Sequence, residues 1–284
     1  MTTRQLLVLD FSGVLSLEAV CFGAPDRLEQ ALRQSGLWDA GVTVERYWND
    51  LVAPTWDIGS TTRTPYAHLM AQHITAPHLS ADEVRRRAER FVQFYLQASV
   101  IDPVWRSLFV ALRTDEGVTI LVATDHYAEA TDHIARQIAA MEWCVAALQV
   151  DETGKVLQQR VAVAGGASQS SRAVLLASSA DLGARKTAPL FWQRVQRGAA
   201  LQPQHILVID DFGANENLLD PYADPASVQR RQAQTIAAIC EAFGASVQTH
   251  AFVLDRAVTD AAALLSAYRA QVEAVTARVM GTRL

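Results

Sequence analysis

Short, nearly continuous apolar runs alternate with amphipathic stretches along most of the chain. The strong runs are four to six residues long and cover residues 6–9, 118–123, 173–177 and 206–209, and a weaker run covers residues 250–254. Such runs are typical of parallel strands that are covered on both faces. Helical patterns lie between them, for example over residues 127–141 and 188–197. This alternation predicts an α/β fold with a Rossmann-like core built on a parallel sheet.

The segment from residue 17 to residue 100 interrupts the alternation. It contains helical patterns, including residues 27–35 and 81–97, and no convincing strand. Ser80 with Glu83 three residues later matches the capping box that begins a helix. We therefore predict a helical domain, the cap, over residues 17–100, inserted after the first strand. The core domain then comprises residues 1–16 and 101–284.

A second interruption is predicted over residues 143–170, which we interpret as an irregular insertion. Within it, Asp-Glu-Thr-Gly-Lys at residues 151–155 lies between apolar stretches and indicates a hairpin. Residues 165–171 are rich in glycine and serine, which indicates a loop.

The composition is that of an ordinary globular protein, with 50% hydrophobic and 19% charged residues. A formal net charge of −5 offers no basic surface for nucleic acid or an anionic membrane, so we expect neither partner. The three cysteines are widely spaced and predict no disulfide framework, which favours a cytoplasmic location. Asp10 interrupts the apolar N-terminal stretch and argues against a signal peptide. No uncharged apolar run reaches about 18 residues, so we expect a soluble protein. The sequence indicates no particular oligomeric state.

Each strong apolar run leads into a polar cluster. Asp10 follows the first run, Thr124 and Asp125 follow the second, the third leads to Lys186, and Asp210 follows the fourth. Taken singly, each residue is explained most simply as a turn or helix-cap residue. However, the carboxyl ends of the strands in an open parallel sheet border one crevice. Their shared placement therefore predicts one site.

Together these segments resemble the four signature motifs of the haloacid-dehalogenase-like (HAD) hydrolases, in the branch with a helical cap after the first strand. The resemblance implies that Asp10 is the nucleophile, that Thr124 binds the phosphoryl group and that Lys186 is the motif-three lysine. Residues 209–215, Ile-Asp-Asp-Phe-Gly-Ala-Asn, resemble the acidic metal-binding motif. The family likeness also implies a magnesium cofactor and a small-molecule phosphorylated substrate.

The chemistry of such a site explains why these residue types are needed. A carboxylate attacks phosphorus and becomes an aspartyl phosphate, while the charge on the phosphoryl oxygens is neutralised. The expected Mg²⁺ ligands are the carboxylates of Asp10 and Asp210 and the backbone carbonyl of Ser12. The positions expected to bind the substrate are Ser12, Gly13, Thr124, Asp125 and Asn215.

Two further observations concern charge and turn geometry at this site. Lys186 is one of only two lysines among 25 Lys and Arg residues, which supports a need for a compact point charge at that position. Gly13 permits an unusual turn directly after the nucleophile.

Ser12 departs from the pattern of the superfamily's phosphatases. They carry at this position a second Asp that protonates the leaving group and then activates water. Such a group contributes about 10²–10⁴-fold, and a serine hydroxyl cannot replace it near pH 7. We therefore expect a slow phosphatase or phosphotransferase. The alternatives are a dehalogenase-type or other carbon-centred hydrolase, and a protein of this fold that binds a phosphorylated ligand without turnover.

Weaker candidates lie beside motif two and in the cap. His126 and Tyr127 either contact the substrate or simply begin the next helix. Trp56, Arg63 and Tyr66 either face the site or pack in a small core of the cap, as most aromatic side chains do.

Overall fold

The structure is a computed structural model that describes residues 5–161, 172–217, 220–255 and 260–281. Within these residues the strands form one seven-stranded sheet. In chain order they are β1 (Gln5–Leu9), β2 (Val118–Thr124), β3 (Cys144–Val150), β4 (Val156–Val161), β5 (Ala173–Ser178), β6 (His205–Asp210) and β7 (Ser246–Ala251). Their order across the sheet is β4-β3-β5-β2-β1-β6-β7. Neighbouring strands are parallel except β3 and β4.

The helices of the described residues lie between and after these strands. In chain order they are α1 (Leu17–Cys21), α2 (Pro25–Ser35), α3 (Val44–Arg46), α4 (Ala53–Gly59), α5 (Tyr66–His73), α6 (Ala81–Ala98), α7 (Arg106–Leu112), α8 (Glu129–Ala140), α9 (Ser179–Leu182), α10 (Pro189–Ala199), α11 (Pro225–Phe243) and α12 (Ala261–Gly281). A π-helical stretch, Tyr47–Val52, joins α3 to α4. Short 3₁₀ turns cover Pro103–Trp105 and Pro221–Ala223.

The α/β fold class predicted from the apolar runs is confirmed. The four strong runs form β1, β2, β5 and β6, each one or two residues longer than predicted. Side chains of β1 alternate between two buried clusters, with Leu7 and Leu9 in one and Leu6 and Val8 in the other. A strand buried on both faces needs apolar side chains at every position, which explains the continuous runs.

The weaker run at residues 250–254 only partly coincides with a strand. The observed strand, β7, covers Ser246–Ala251 and pairs only with β6 at the edge of the sheet. Its side chains alternate between exposed and half-buried positions. An edge strand of this kind carries polar residues, so it has no apolar run to mark it.

Between β1 and β2 every regular element is helical, and the observed helices α2 and α6 overlap the two helices predicted there. The Ser80 hydroxyl accepts the backbone N–H of Glu83 at 3.2 Å and caps α6. The Glu83 carboxylate binds Arg86 and Arg87, so only half of the predicted capping box forms. Leu28 of α2 and Phe91 of α6 belong to the same buried cluster as Leu7 of β1. The buried core of the helical segment is therefore continuous with the core on one face of the sheet.

The prediction of an irregular insertion over residues 143–170 is wrong in its first part. Cys144–Val150 forms β3, a regular strand that pairs in parallel with β5 inside the sheet. The predicted hairpin exists, because β3 and β4 are antiparallel and joined by residues 151–155. The Asp151 carboxylate closes this turn by accepting the N–H groups of Thr153 and Lys155 at 2.9 and 3.0 Å. The predicted loop at residues 165–171 lies outside the described residues.

Two expectations from the composition concern thiols and membranes. The three cysteines form no disulfide bond, as their spacing predicts. In the described part of the chain, no helix combines the length and apolarity that crossing a membrane requires.

Candidate active site

A cavity of about 340 Å³ opens where β1, β2 and β6 end. Its wall includes Asp10, Thr124, Lys186 and Asp210, the four residues that follow the predicted strands. Thr124 and Asp210 are the last residues of β2 and β6, and Asp10 directly follows β1. Parallel pairing of β1 with both neighbours brings these three chain segments together, although they are far apart in sequence.

A buried ion-pair cluster lies at the base of this cavity. The Lys186 ammonium lies 2.9 Å from Asp10 Oδ2 and donates a hydrogen bond to Asp210 Oδ2 at 2.7 Å. All three side chains are buried. Burial alone would lower the pKa of Lys186, but Asp10 and Asp210 outweigh it and raise the pKa well above its usual value. The lysine therefore remains charged beside the two carboxylates.

Lys186 is held by its backbone as well as by its side chain. The Asp125 carboxylate accepts the Lys186 N–H at 2.9 Å, and the Lys186 carbonyl accepts the indole N–H of Trp192 at 2.7 Å. Asp125, which we predicted to bind the substrate, lines the cavity. Its side chain also fixes the lysine loop to the end of β2, a role that the sequence did not reveal.

Three carboxylates in this cavity are close enough to share a metal ion. Asp10, Asp210 and Asp211 each offer an oxygen, and these oxygens lie within 4.8 Å of one another. Burial and the charge of Asp210 raise the pKa of Asp10 well above its usual value and raise the pKa of Asp211 to about 6. Grouped carboxylates of this kind are stabilised by a cation, and Mg²⁺ prefers oxygen ligands. The residues therefore fit a magnesium site that includes the predicted Asp10 and Asp210.

The turn after Asp10 brings Ser12 into the cavity wall. Gly13 has a φ of +73°, and a Cβ atom there would collide with the Asp211 carboxylate, so the position requires glycine. Ser12 lines the cavity, and its hydroxyl donates a hydrogen bond to Glu216 Oε1 at 3.2 Å. The Ser12 side chain therefore already has a carboxyl partner.

Gly13 and Asn215 are two predicted substrate-binding residues that the structure does not bring to the cavity wall. The Asn215 amide donates to the carbonyls of Gly13 and Phe252 at 3.0 and 2.8 Å. Its oxygen accepts the N–H of Leu254 at 2.8 Å. Because the side chain makes hydrogen bonds to three backbone groups, Asn215 ties the loops after β1, β6 and β7 together.

Thr124 is buried at the end of β2, in the wall of the cavity. Its hydroxyl has no hydrogen-bond partner among the described residues. Buried polar atoms rarely lack a partner, because leaving one unpaired costs about 1–3 kcal/mol. A phosphoryl oxygen would supply the missing acceptor.

Comparisons with known proteins were made by sequence and by structure. No protein-family model and no curated protein matches the chain. Among solved structures, a HAD family enzyme from Bacteroides thetaiotaomicron, in complex with magnesium and inorganic phosphate, is similar at 14% identity and a TM-score of 0.44, covering 92% of this chain and 98% of that one. A 2-haloacid dehalogenase from Pseudomonas syringae pv. Tomato is similar at 17% identity and a TM-score of 0.44, covering 80% and 83%. A β-phosphoglucomutase from Clostridium difficile has 12% identity and a TM-score of 0.40, covering 96% and 100%.

Within the chain itself, the four motif segments meet at the carboxyl edge of one mostly parallel sheet, as the resemblance of the motifs implies. The chain has a Rossmann-like α/β fold with these segments around one cavity.

Beside the motif residues, this site contains groups that we did not predict from the sequence. Glu216 follows directly after motif four and lines the cavity. Burial and the charges of Asp220 and Asp211 raise its pKa well above the usual value. An acidic residue next to Asn215 was the available sequence signal for Glu216.

Tyr95 is a second residue that we did not predict, and it forms a hydrogen-bonded pair with His126, one of the weaker candidates. His126 Nδ1 accepts the N–H of Tyr127 at 2.8 Å, so its proton is on Nε2, which lies 2.7 Å from the Tyr95 hydroxyl. Burial lowers the pKa of His126 to about 4, so the ring is neutral near pH 7. Both residues line the cavity.

The weaker candidates divide between cavity and interface. Trp56, Tyr66 and Tyr127 line the cavity, with the rings of Tyr66 and Tyr127 stacked at 3.7 Å. Arg63 does not line it, and its Nε lies 3.4 Å from Asp181 instead. Arg185 joins the core to the helical segment. It forms an ion pair with Asp57 and donates a hydrogen bond to the hydroxyl of Ser60 at 3.0 Å.

Proposed function

We propose that this chain is a magnesium-dependent phosphatase or phosphotransferase that acts on a small phosphorylated metabolite. One observation carries the proposal. The Asp10 carboxylate pairs with the Lys186 ammonium at 2.9 Å and shares the cavity wall with two further carboxylates, Asp210 and Asp211. This is the combination of nucleophile, point charge and cation ligands that phosphoryl transfer requires.

In the proposed reaction, a carboxylate oxygen of Asp10 attacks phosphorus as the bond from phosphorus to the alcohol oxygen breaks. The leaving oxygen takes up a proton from solvent water. Water or a second alcohol then attacks phosphorus, the bond from phosphorus to Asp10 breaks, and the attacking oxygen loses its proton to solvent. Lys186 and Thr124 contribute a charge and a hydrogen bond to the phosphoryl oxygens. Asp10, Asp210 and the Ser12 carbonyl would hold Mg²⁺, with Asp211 close by, and the bound ion neutralises charge on those oxygens.

We also propose that residues 17–100 act as the cap and that residues 1–16 and 101–284 form the catalytic core. Support comes from the walls of the cavity. Trp56 and Tyr66, from the helical segment, line the same space as Asp10 and Lys186. A domain that supplies one wall of such a cavity contacts the part of the substrate beyond the phosphoryl group, and so selects it.

The position of Ser12 argues for slow turnover, because no carboxyl group stands at the usual acid/base position. The carboxylate cluster favours this proposal over a metal-free dehalogenase, whose chemistry at carbon needs no cation. The same cluster favours a reactive role for Asp10 over the alternative in which the protein only binds a phosphorylated ligand.

Phosphate release tests the proposal directly. With Mg²⁺, we expect slow release from acetyl phosphate and slower release from alkyl phosphates, because an acyl leaving group needs less help from an acid. Asp10→Asn abolishes release, since an amide is no nucleophile. Asp57→Asn, a carboxyl change in the same cavity wall but outside the cluster, preserves it. Turnover of a 2-haloacid without metal, or phosphate binding without any release, would contradict the proposal.

A further inference from the structure

The wall that the helical segment contributes to the cavity is rich in aromatic side chains. Seven aromatic residues from 17–100 line it, namely Phe22, Tyr47, Trp48, Trp56, Tyr66, Phe91 and Tyr95. They form a connected set. The rings of Tyr47 and Phe91 lie 5.2 Å apart, and Trp56 and Tyr66 both contact Tyr127 of the core. The space beyond the phosphoryl group is therefore bordered by ring faces and edges.

The π-helical stretch explains how two neighbouring residues both reach this space. Tyr47 and Trp48 are consecutive, their ring centroids are 5.1 Å apart, and both line the cavity. Stretches of π-helix are rare and occur often at functional sites. Here the stretch supplies two of the aromatic residues that line the cavity.

The charges of this space do not suit a second anionic group on the substrate. Besides Lys186, the one cationic lining residue in the described part of the chain is Arg231. Its guanidinium lies 3.5 Å from the Tyr222 ring centroid and donates to the carbonyls of Phe212 and Tyr222. Glu129, Glu216 and Asp220 also line the cavity and would repel an anion.

Two of these carboxyl groups also have partners within the protein. Glu216 accepts the Ser12 hydroxyl, and Asp220 accepts the N–H of Tyr222 at 2.8 Å. A cationic group on the substrate would therefore compete with existing contacts. A neutral group is the better fit.

Four aromatic side chains of the cavity lining have a buried hydrogen-bonding group without a partner among the described residues. These groups are the hydroxyls of Tyr66 and Tyr127 and the indole N–H groups of Trp48 and Trp56. An indole nitrogen is a donor only, so it needs an acceptor from the ligand, and an unpaired buried donor costs about 1–3 kcal/mol. An oxygen acceptor on a bound ring would meet this need.

We propose that the alcohol part of the substrate is a neutral, planar aromatic ring that carries a hydrogen-bond acceptor. This inference rests on the proposed function and names its substrate class. A ring of this kind stacks on the aromatic wall, avoids the carboxyl groups and offers an oxygen to Trp48 or Trp56. A cavity of about 340 Å³ lies within the size range of small-molecule sites.

Binding to the inert variant Asp10→Asn tests the class without interference from leaving-group reactivity. Calorimetry with Mg²⁺ compares 4-methylumbelliferyl phosphate, a ring with a carbonyl acceptor, with 2-naphthyl phosphate, a ring without one. Glucose 6-phosphate, 2-phosphoglycolate and phosphocholine represent polyol, anionic and cationic alcohols. We expect the umbelliferyl ester to bind about five-fold tighter than the naphthyl ester, as one hydrogen bond predicts. Stacking makes both bind about ten-fold tighter than the other three esters.

Variants of the two tryptophans test the acceptor. In the Asp10→Asn background, Trp48→Phe with Trp56→Phe keeps the rings and removes both N–H groups, so the preference for the umbelliferyl ester should disappear. Trp143→Phe is the matched control, because the Trp143 N–H is also buried and unpaired but does not line the cavity. The proposed hydrogen-bond acceptor is overturned if the two aryl esters bind equally to Asp10→Asn. It is also overturned if Trp143→Phe loses the preference for the umbelliferyl ester as well.

Three outcomes overturn the proposal of an aromatic ring. Glucose 6-phosphate binds as tightly as the aryl esters or tighter, 2-phosphoglycolate or phosphocholine does so, or none of the five esters binds. Phosphate release by the wild type is measured with the same compounds. If phosphate is released but the aryl esters bind no tighter than the other esters, this inference fails and the proposed function stands. If the aryl esters bind tighter but no phosphate is released, the proposed function fails and the preference for aromatic rings stands.

Discussion

The Ser12 hydroxyl donates a hydrogen bond to the Glu216 carboxylate, with 3.2 Å between Oγ and Oε1. Ser12 stands where related phosphatases carry their acid/base carboxyl group. Glu216 comes from the other side of the site, one residue after Asn215. The position that lacks a carboxyl group in the sequence therefore contacts one in the structure, and this changes what a substitution at Ser12 is expected to do.

Replacing Ser12 by Asp restores a carboxyl group beside the leaving oxygen. In the single variant it contacts Glu216, and two adjacent carboxyl groups disfavour each other's charge. We therefore expect the larger gain in the double variant Ser12→Asp with Glu216→Gln, up to about 10²-fold in phosphate release from an aryl phosphate. Ser12→Asn has a similar size without the acid and should give no gain. A wild type that already turns over at ordinary rates of about 1–10³ s⁻¹ would show that another group supplies the proton.

Lys186 can be compared with the chain's other lysine. Lys186→Met leaves Asp10 and Asp210 buried without their counter-charge, and breaking a buried pair in this way costs about 3–5 kcal/mol. We expect a lower free energy of unfolding in urea and loss of phosphate release. Lys155→Met, at an exposed hairpin position, should change neither. Lys186→Arg should not restore activity, because the guanidinium is too large and planar for this point-charge site. Full activity of Lys186→Arg would contradict that view of the site.

Magnesium binding is expected to depend on the carboxylate cluster. Titration calorimetry should detect Mg²⁺ binding to the wild type and a much weaker signal for Asp210→Asn, which removes a charged ligand. Asp57→Asn should bind like the wild type. Bound Mg²⁺ should also raise the unfolding temperature, since a ligand of the folded state stabilises it. Unchanged binding by Asp210→Asn would favour a metal-free hydrolase instead.

His126 predicts a pH dependence of stability. Its pKa is about 4 in the folded protein and near 6.5 when unfolded, so the unfolded chain binds more protons between these values. Stability therefore falls as pH falls through this window, and from pH 7 to pH 5 His126 contributes a loss of about 2 kcal/mol. Asp211, whose pKa is raised to about 6, acts in the opposite direction. The free energy of unfolding is therefore measured at pH 7 and pH 5, and the loss for His126→Gln is subtracted from the loss for the wild type. The exposed variant His73→Gln is the control. Equal losses in all three proteins would contradict the prediction.

The strands and the four motif positions were predictable because their signals are local. A strand covered on both faces needs consecutive apolar residues, and parallel strands present their carboxyl ends at one edge. Asp10, Thr124, Lys186 and Asp210 could thus be grouped from their place after apolar runs. Two strands are exceptions, for different reasons. β7, at the edge of the sheet, is too polar to form an apolar run. β3 lies in a segment that we interpreted as an irregular insertion.

What the amino-acid sequence determined by itself was the type of most elements and the residues proposed to carry the chemistry. The tertiary structure decided which side chains face the cavity. Asn215 holds three backbone groups away from it, while its neighbour Glu216 reaches Ser12. Tyr268 of the last helix donates to the carbonyl of Val14, in the loop after Asp10, at 2.6 Å. The contacts of Glu216 with Ser12, of Asn215 with Gly13 and of Tyr268 with Val14 join residues about 200 or more positions apart. Packing alone sets such partners, because no local periodicity records them.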